Sequence, residues 1–187
     1  MLKSVARKEL LAKRKLLTES DCMKLDDLLL IQLQKMDWSS TQILGSFYPM
    51  ENQSEPNSML LVKYLQYSIP DLKVAYPIVN ASDYSMDFYI ETDTLQVNQW
   101  GIQEPLPFNI LQPEQLDTLL VPLIGFDLTG QRIGFGKGFY DRYFSRCVKT
   151  VKRIGVSYFE PLPNIQDTHQ FDVPLTHCIT PWNNYEF

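Results

Sequence analysis

The sequence is poor in cysteine and histidine and contains no long apolar run. Its three cysteines, Cys22, Cys147 and Cys178, are odd in number and far apart, which argues against a disulfide framework and against a zinc site. They are typical of free thiols in a reducing compartment, so we expect a cytoplasmic protein. No stretch approaches the length of a membrane span, and charges interrupt the first eight residues, where a secretory signal would be apolar. We therefore expect no membrane partner.

Positive charge is also scarce, with 17 Lys and Arg against 22 Asp and Glu and a net charge of −5. A general nucleic-acid-binding protein needs an evident basic surface, so we expect no nucleic-acid partner. The exception is the N-terminus, where six basic residues lie within the first fifteen positions: Lys3, Arg7, Lys8, Lys13, Arg14 and Lys15. With 187 residues and 44% hydrophobic content, the chain fits a single domain, residues 1–187, and we expect a monomer.

Glycine is infrequent and unevenly placed, since four of the eight glycines lie within residues 130–142. They follow an apolar run, residues 119–124, that is typical of a buried strand. Glycines allow positive φ, and successive inward N–H groups bind anions. Arg132 and Lys137 suit phosphate, and Asp141 suits a divalent cation. The segment therefore predicts a nucleoside triphosphate site; the alternative is a strand-to-helix turn whose glycines only relieve steric crowding.

Neither of the two standard phosphate-loop patterns fits this segment. In a Walker A alignment, Gln131 occupies the first glycine position and Gly138 replaces the hydroxyl residue. In a dinucleotide-binding alignment that starts at Gly134 and Gly136, Phe139 occupies the position of the third glycine. The spacing therefore predicts a phosphate loop of another kind.

Helical and strand-like patterns alternate along the chain. Helices are predicted at residues 3–17, after the capping run 18–21, at 59–67 and at 139–148, and strands at 42–48, 73–79, 87–90, 119–124, 153–158 and 177–180. Residues 93–113 contain three prolines and are predicted to form an extended crossing segment. This order predicts an α/β domain with a mostly parallel central sheet flanked by helices, a Rossmann-like open sheet. Because ligands bind at the carboxyl ends of such strands, segments 49–58 and 125–139 should share a cleft.

The glycine-rich segment resembles the signature of the 5-formyltetrahydrofolate cyclo-ligases, also called 5,10-methenyltetrahydrofolate synthetases. The matching pattern is Phe126-Asp127-x-x-Gly130-x-Arg132-Ile133-Gly134-x-Gly136-x-Gly138-x-Tyr140-Asp141. Weaker matches follow the family's order along nearly the whole chain: Lys3-x-x-x-Arg7, Glu55-Pro56-Asn57-Ser58, Trp100-Gly101-Ile102-Gln103-Glu104-Pro105 and Phe171-Asp172-Val173-Pro174-Leu175-Thr176-His177. The second departs from the family's Glu-Val/Ile-x-Thr, and His177 stands where the family often has another aspartate.

The resemblance implies an ATP- and magnesium-dependent ligase that converts 5-formyltetrahydrofolate into 5,10-methenyltetrahydrofolate and releases ADP and phosphate. In that reaction the formyl oxygen is phosphorylated, N10 attacks the activated carbon, and phosphate leaves as the ring closes. Two alternatives stay open. One is a folate- or nucleotide-binding homologue without turnover, and the other is a different phosphotransferase on a related α/β scaffold.

The resemblance also implies roles for individual residues. The catalytic residues would be Arg7, Arg132, Lys137 and Tyr140. ATP would contact Lys3, Ser4, Val5, Ala6 and Arg7 in the N-terminal helix, and Arg132, Ile133, Gly134, Phe135, Gly136, Lys137, Gly138, Phe139 and Tyr140 in the glycine-rich segment. Folate would contact Met50, Glu55, Trp100, Phe135, Gly136, Lys137, Gly138 and Phe139. Magnesium would bind Asp141 and Asp172, and the two histidines receive no role.

Most of these residues have a purely structural alternative. Lys3 and Arg7 are four residues apart, and without the family match they predict a solvated basic helix face. Tyr140 would then be a core aromatic at the start of a helix, and Asp141 a carboxylate that the helix dipole favours. Ordinary loop or core positions are the alternative for three others: Met50, Glu55 and Trp100.

Overall fold

Helices alternate with strands in the computed structural model, which describes residues 1–50, 53–80, 82–92, 94–98 and 101–187. The described residues form four α-helices: α1 Lys3–Lys15, α2 Glu19–Leu33, α3 Ser58–Ser68 and α4 Phe139–Phe144. They also form twelve strands: β1 Ile43–Gly45, β2 Lys73–Asn80, β3 Ser85–Ile90, β4 Leu95–Val97, β5 Gln103–Pro105, β6 Ile110–Leu111, β7 Thr118–Pro122, β8 Gly125–Phe126, β9 Arg132–Ile133, β10 Lys152–Val156, β11 His177–Ile179 and β12 Asn184–Glu186.

Eight of these strands form one sheet in the order β12-β11-β10-β7-β1-β2-β3-β6. The five central strands are parallel neighbours, and β12, β3 and β6 add antiparallel pairs at the two edges. Numbered by their order in the chain, the parallel strands run 2-1-3-4-5, which is a doubly wound arrangement. The predicted α/β fold with a mostly parallel open sheet is confirmed.

Successive side chains of a strand point to opposite faces of the sheet, and helices pack on both faces. On β7, Leu120 packs into the layer that contains α2 and α3, whereas Leu119 and Val121 pack into the layer that contains α4. The helix after β1 and the helix after β7 therefore lie on opposite faces. A crevice forms between two such strands at their carboxyl ends, so this topology fixes the place where a ligand is expected.

The N-terminal helix α1 packs outside this sandwich, against the β8–β9 hairpin. Ala6 and Leu10 of α1 are buried together with isoleucines from three other segments: Ile124, Ile133 and Ile165. The start of α1 has no side-chain cap from its own sequence. Instead, the backbone N–H of Lys3 donates to Asp167 Oδ1 at 2.7 Å, so a distant carboxylate satisfies one free donor of the helix.

Several elements differ from those predicted. The helix predicted for residues 139–148 ends at Phe144, where the Ser145 hydroxyl donates to the Arg142 carbonyl and competes with further helical turns. Residues 93–113, predicted to be an extended crossing, contain the β4–β5 hairpin and the edge strand β6. The β8–β9 hairpin lies inside the stretch predicted as a loop, and β12 was not predicted.

Candidate functional site

The carboxyl ends of β1 and β7 meet at the centre of the sheet. Arg14 of α1 contacts the segments that follow both strands. Its Nη2 donates to the Leu123 carbonyl oxygen at 2.5 Å, and its Nη1 lies 3.8 Å from Glu55 Oε1. The segments after β1 and after β7 therefore lie side by side at this edge, which is where the sequence predicts a shared cleft.

The β8–β9 hairpin presents the glycine-rich segment, and the fully buried Asp127 holds its turn. Oδ1 of Asp127 accepts from the Thr129 N–H at 2.9 Å, the Thr129 hydroxyl at 2.7 Å and the Gln131 N–H at 3.2 Å, while Oδ2 accepts from the Ile165 N–H at 2.8 Å. Gly130 in this turn has a φ of 78°, and a Cβ there would lie 2.9 Å from a backbone carbonyl oxygen. The turn therefore requires glycine.

The glycine loop, residues 134–138, lies against α1. Arg7 Nε donates to the Gly134 carbonyl oxygen at 2.8 Å, although the two residues are 127 positions apart. Gly136 has a φ of 88°, and its ideal Cβ position is 3.5 Å from the same guanidinium group. Phe135 and Lys137 are exposed in this loop. The structure thus brings one of the two predicted N-terminal cations to the predicted phosphate loop.

Two ion pairs connect predicted phosphate-binding cations with the predicted magnesium ligands. Lys3 Nζ pairs with Asp172 Oδ2, and Arg132 Nη2 pairs with Asp141 Oδ1 at 2.6 Å. Asp141 Oδ1 also accepts from the Val173 N–H at 3.0 Å, and Arg132 Nη1 donates to the Val173 carbonyl oxygen. Residues 172–173 therefore bring the two carboxylates to one place.

Opposing effects set the pKa of Asp172. Burial raises the pKa, but hydrogen bonds from the Lys3 ammonium and the His169 N–H, with the charges of Lys3 and Arg132, outweigh burial and bring the pKa below its ordinary value. Asp172 is therefore ionised at neutral pH. An ionised carboxylate is the oxygen ligand that a hard cation prefers.

Tyr140 lies in the first turn of α4, next to the loop, and its half-buried ring is 5.9 Å from the ring of Phe144. Burial, and after it the charge of Glu55, raises the pKa of the Tyr140 hydroxyl. The phenol therefore keeps its proton at neutral pH and can donate a hydrogen bond.

Glu55 is a covered carboxylate in this structure. Its side chain is 2% exposed, and its Oε2 accepts from the Met50 N–H at 3.0 Å. Burial raises the pKa of Glu55, while the Met50 N–H and the Arg14 charge act to lower it. Met50 itself is half-buried. Glu55, a predicted folate contact, thus forms a hydrogen bond within the segment that follows β1.

The remaining predicted contacts differ in how exposed their side chains are. Ser4 and Val5 are exposed on α1, whereas Ala6 and Ile133 are fully buried in the core beneath the loop. Because their alkyl side chains are buried, Ala6 and Ile133 can contact a ligand only through their backbone groups. Trp100, predicted as a folate contact, lies outside the described residues.

The sequence prediction missed Arg14 as a buried residue of the candidate site. Its side chain is 1% exposed, although six basic residues in this region predict a solvated face. The signal was present in the spacing, because Ala6, Leu10 and Arg14 follow one another every four residues and are the buried residues of α1. That spacing places a charge on the buried face of the helix.

The sequence also gave no role to Arg142, which ties the glycine loop to the β2–β3 hairpin. Its Nε donates to the Tyr84 carbonyl oxygen at 2.9 Å and its Nη2 donates to the Lys137 carbonyl oxygen. The Lys137 ammonium lies 5.7 Å from the centre of the Tyr84 ring. No sequence signal predicts these contacts, because they depend on where the hairpin packs.

Two carboxylates at this site, Asp141 and Asp172, are the candidates for holding a metal ion. Within the ranges that the structure describes, no three His, Cys, Asp or Glu side chains gather as a metal-binding group. Magnesium generally takes one or two carboxylates and completes its shell with water and phosphate oxygens. Asp141 and Asp172, each paired with a cation here, are two such carboxylates and could hold this ion.

The fold and the site define a doubly wound α/β protein with a glycine-rich loop at the switch point of its sheet. A sequence model of the 5-formyltetrahydrofolate cyclo-ligase family matches residues 1–181. The chain belongs to this family, and the resemblance read from its motifs is confirmed.

Curated relatives match over shorter stretches. The 5-formyltetrahydrofolate cyclo-ligase of Mycoplasma pneumoniae is 44% identical over 50 residues, which cover 27% of this chain and 30% of the relative. The enzyme of the same name from Haemophilus influenzae is 37% identical over 91 residues, covering 46% and 48%. That of Escherichia coli is 30% identical over 120 residues, covering 62% and 65%. These alignments therefore span from 30% to 65% of the relatives' own lengths.

Solved structures match over nearly the whole chain. The NMR structure of Aquifex aeolicus 5,10-methenyltetrahydrofolate synthetase has a TM-score of 0.79 at 30% identity, and the match covers 100% of this chain and 93% of that one. The 5,10-methenyltetrahydrofolate synthetase from Mycoplasma pneumoniae has a TM-score of 0.75 at 26% identity, covering 96% and 98%. Among the described residues, no helix combines the length and the apolar character that crossing a membrane requires.

Proposed function

We propose that this chain is an ATP- and Mg²⁺-dependent 5-formyltetrahydrofolate cyclo-ligase that forms 5,10-methenyltetrahydrofolate. Family membership over residues 1–181 supports the reaction class. The observation that carries the proposal is the contact between Arg7 and the Gly134 carbonyl oxygen, which holds a cation of α1 against the glycine loop at the switch point of the sheet. A loop that only relieved steric crowding would need no such cation.

The proposed reaction joins N10 of the folate to the formyl carbon on N5. The γ-phosphoryl group of ATP passes to the formyl oxygen, N10 bonds to the formyl carbon, and the carbon–oxygen bond breaks as phosphate leaves with that oxygen. N10 gives up its proton, and ADP is the other product. The task of the protein is mainly positioning and charge neutralisation, because an anionic phosphoryl group must approach an amide oxygen.

The residues beside the loop divide this task. Backbone N–H groups of residues 134–138 would bind phosphate oxygens, and the exposed Lys137 would add a mobile positive charge. Arg7 and Arg132 would neutralise the charge that develops on the transferred group. Tyr140, whose hydroxyl keeps its proton, would donate a hydrogen bond to the folate or stack on its ring system.

Magnesium, when bound, would neutralise phosphate oxygens, with Asp141 and Asp172 as its carboxylate ligands. The chain prepares these ligands in two ways. Arg132 and the Val173 N–H hold Asp141, and Lys3 keeps Asp172 ionised.

We also propose that the protein is cytoplasmic, in keeping with the free cysteines of the described chain. We propose further that it works as a monomer, without nucleic-acid or membrane partners.

A coupled assay tests the function. Purified protein should release phosphate from ATP only when 5-formyltetrahydrofolate and Mg²⁺ are both present, and the absorbance of the methenyl product should rise in step. Folate binding without phosphate release would identify a binding homologue. Phosphate release that does not depend on the folate would identify a different phosphotransferase.

Asp141→Asn should raise the Mg²⁺ concentration for half-maximal activity by roughly tenfold, because the variant loses a hard anionic ligand. A magnesium titration at saturating ATP and folate measures this effect. Asp87→Asn is a matched control, since Asp87 pairs with Arg146 at 2.7 Å on the surface, much as Asp141 pairs with Arg132. Equal titration curves for the Asp141 variant and the unmodified protein would remove Asp141 from the magnesium site.

A further inference from the structure

Arg14 and Glu55 form a buried ion pair that is incompletely satisfied. Their side chains are 1% and 2% exposed, and Arg14 Nη1 lies 3.8 Å from Glu55 Oε1. Glu55 Oε1, Arg14 Nη1 and Arg14 Nε are all buried without a hydrogen-bond partner among the described residues. Buried polar atoms are rarely left in this state, so each such atom in a native fold calls for an explanation.

Stability alone does not explain the pair. Taking two charges out of water costs more than a contact at 3.8 Å returns, and well-packed apolar residues often replace such pairs without loss. A carboxylate oxygen that faces a cation at this distance, without a hydrogen bond of its own, can still accept one from a ligand. The pair therefore suits a site where a ligand supplies the missing donor.

Other elements fix the position of Glu55 from the opposite side. The Tyr158 hydroxyl donates to Asp26 Oδ1 at 2.7 Å and lies 3.3 Å from the Glu55 carbonyl oxygen. The Asn57 N–H donates to the same Asp26 oxygen at 3.0 Å. Burial raises the pKa of Asp26, of Tyr158 and of Tyr140. Among the charged groups that the structure describes, the Arg14 guanidinium is the one that acts to lower the pKa of Glu55.

We propose that Arg14 is a positioning residue, which holds the Glu55 carboxylate in place with Oε1 as the acceptor for the N–H edge of the folate ring system. This inference rests on the proposed function. Arg14 is anchored for the role, because its Nη2 donates to the Leu123 carbonyl oxygen after β7. The Arg14 guanidinium thus contacts both Glu55, in the segment after β1, and Leu123, in the segment after β7. It fixes the position of the Glu55 carboxylate relative to the segment that leads into the glycine loop. Because the Glu55 side chain is 2% exposed, this role requires the residues that cover Oε1 to move when the folate binds.

Binding measurements on three variants test this role, with 5-formyltetrahydrofolate and ATP titrated separately by calorimetry. Arg14→Met should weaken folate binding roughly tenfold or more, the scale of a lost hydrogen bond to a charged group, and leave the Kd for ATP within about twofold. Glu55→Gln should show a similar loss for folate alone. Arg14→Lys, which keeps the charge, should recover part of the binding. A purely structural role would weaken both ligands together and would gain nothing from lysine in particular.

The double variant Arg14→Met/Glu55→Gln keeps the test decisive if Arg14→Met does not fold, because it leaves no unpaired buried charge. Its Kd for folate should match that of Glu55→Gln, since Arg14 acts only through the carboxylate. A double variant that binds folate tenfold more weakly than Glu55→Gln would overturn the inference. So would an Arg14→Met variant with unchanged folate binding. An unmodified protein that binds no folate would overturn the proposed function as well.

Discussion

Asp127 shows how much of this site depends on a single buried side chain. It belongs to the family signature, and in the structure it lies in the turn of the β8–β9 hairpin and accepts four hydrogen bonds. Its function is therefore to shape the turn that leads into the loop. A sequence motif does not distinguish a residue that contacts a ligand from one that holds the backbone for those contacts.

Asp127→Ala should lower the free energy of unfolding by about 3 kcal/mol or more, because buried N–H donors lose a charged acceptor. Urea denaturation followed by circular dichroism measures the change. Asp117→Ala is the control, since Asp117 is half-buried and, among the described residues, accepts from two donors, the N–H groups of Gln42 and Ile43, both at 2.9 Å. The control should lose roughly half as much. Equal losses would contradict the larger structural role that the four hydrogen bonds assign to Asp127.

The residues of the site differ in how far the sequence predicted them. Arg7 and the glycine loop were both named because each matches a motif, and the structure brings them into contact. Arg14 was missed because a charge in a basic helix predicts exposure, and only its four-residue spacing from Leu10 indicates burial. Glu55 was named, but no sequence pattern predicts that its carboxylate is covered.

At the scale of elements, the loop between β9 and α4 depends on backbone conformation more than on side chains. Gly136 and Gly138 both have positive φ, whereas Gly134 does not. A helix of only six residues follows, so the loop geometry is not imposed by a long helix. The conformation of the loop therefore depends on the positive φ angles of Gly136 and Gly138.

Gly136→Ala should reduce the free energy of unfolding by about 1–2 kcal/mol, because an L-residue is strained at a φ of 88°. Gly134→Ala provides the matched control two residues earlier, since a Cβ there meets nothing within 4 Å. The control should change stability by less than about 0.5 kcal/mol. Denaturant unfolding of both variants under the same conditions measures the two changes in the free energy of unfolding. A loss in the control as large as in Gly136→Ala would show that both positions need glycine for some other reason.

Elements with strong periodicity were predicted well, and short ones were not. Helix α3 and strand β2 agree with their predicted bounds to within one residue at each end. The β8–β9 hairpin was missed because its paired residues are few and lie within a glycine-rich stretch. Strand β12, Asn184–Glu186, pairs at the sheet edge through backbone groups and has no apolar pattern to reveal it.

At the scale of the whole molecule, the alternation of elements predicted the fold class but not the order of the strands. Pairing of β1 with β7 joins residues more than seventy positions apart, and no local pattern encodes that choice. The strand order nevertheless decides where the site lies, because it places the β1 and β7 ends together. The contact between Arg7 and Gly134 depends on the same long-range arrangement.

The N-terminus is also joined to residues 164–172. The N-terminal amino group donates to the Asn164 carbonyl oxygen at 2.7 Å, the Lys3 N–H donates to Asp167, and the Lys3 ammonium pairs with Asp172. Helix α1 is therefore held in place by the segment that carries a predicted magnesium ligand. This link makes part of the stability of the molecule depend on pH.

Asp172→Asn should reduce the free energy of unfolding at pH 7 by roughly 0.5–1 kcal/mol, because the Lys3–Asp172 pair is partly exposed and solvent screens it. The folded-state pKa of Asp172 is depressed. Its contribution is therefore present above the unfolded value of about 3.9 and disappears as the pH falls through the folded value. Denaturant unfolding at pH 7 and near pH 2 measures this. In a Lys3→Met background the same substitution should have less effect at pH 7. A difference between Asp172→Asn and the unmodified protein that stayed constant down to pH 2 would contradict the pairing.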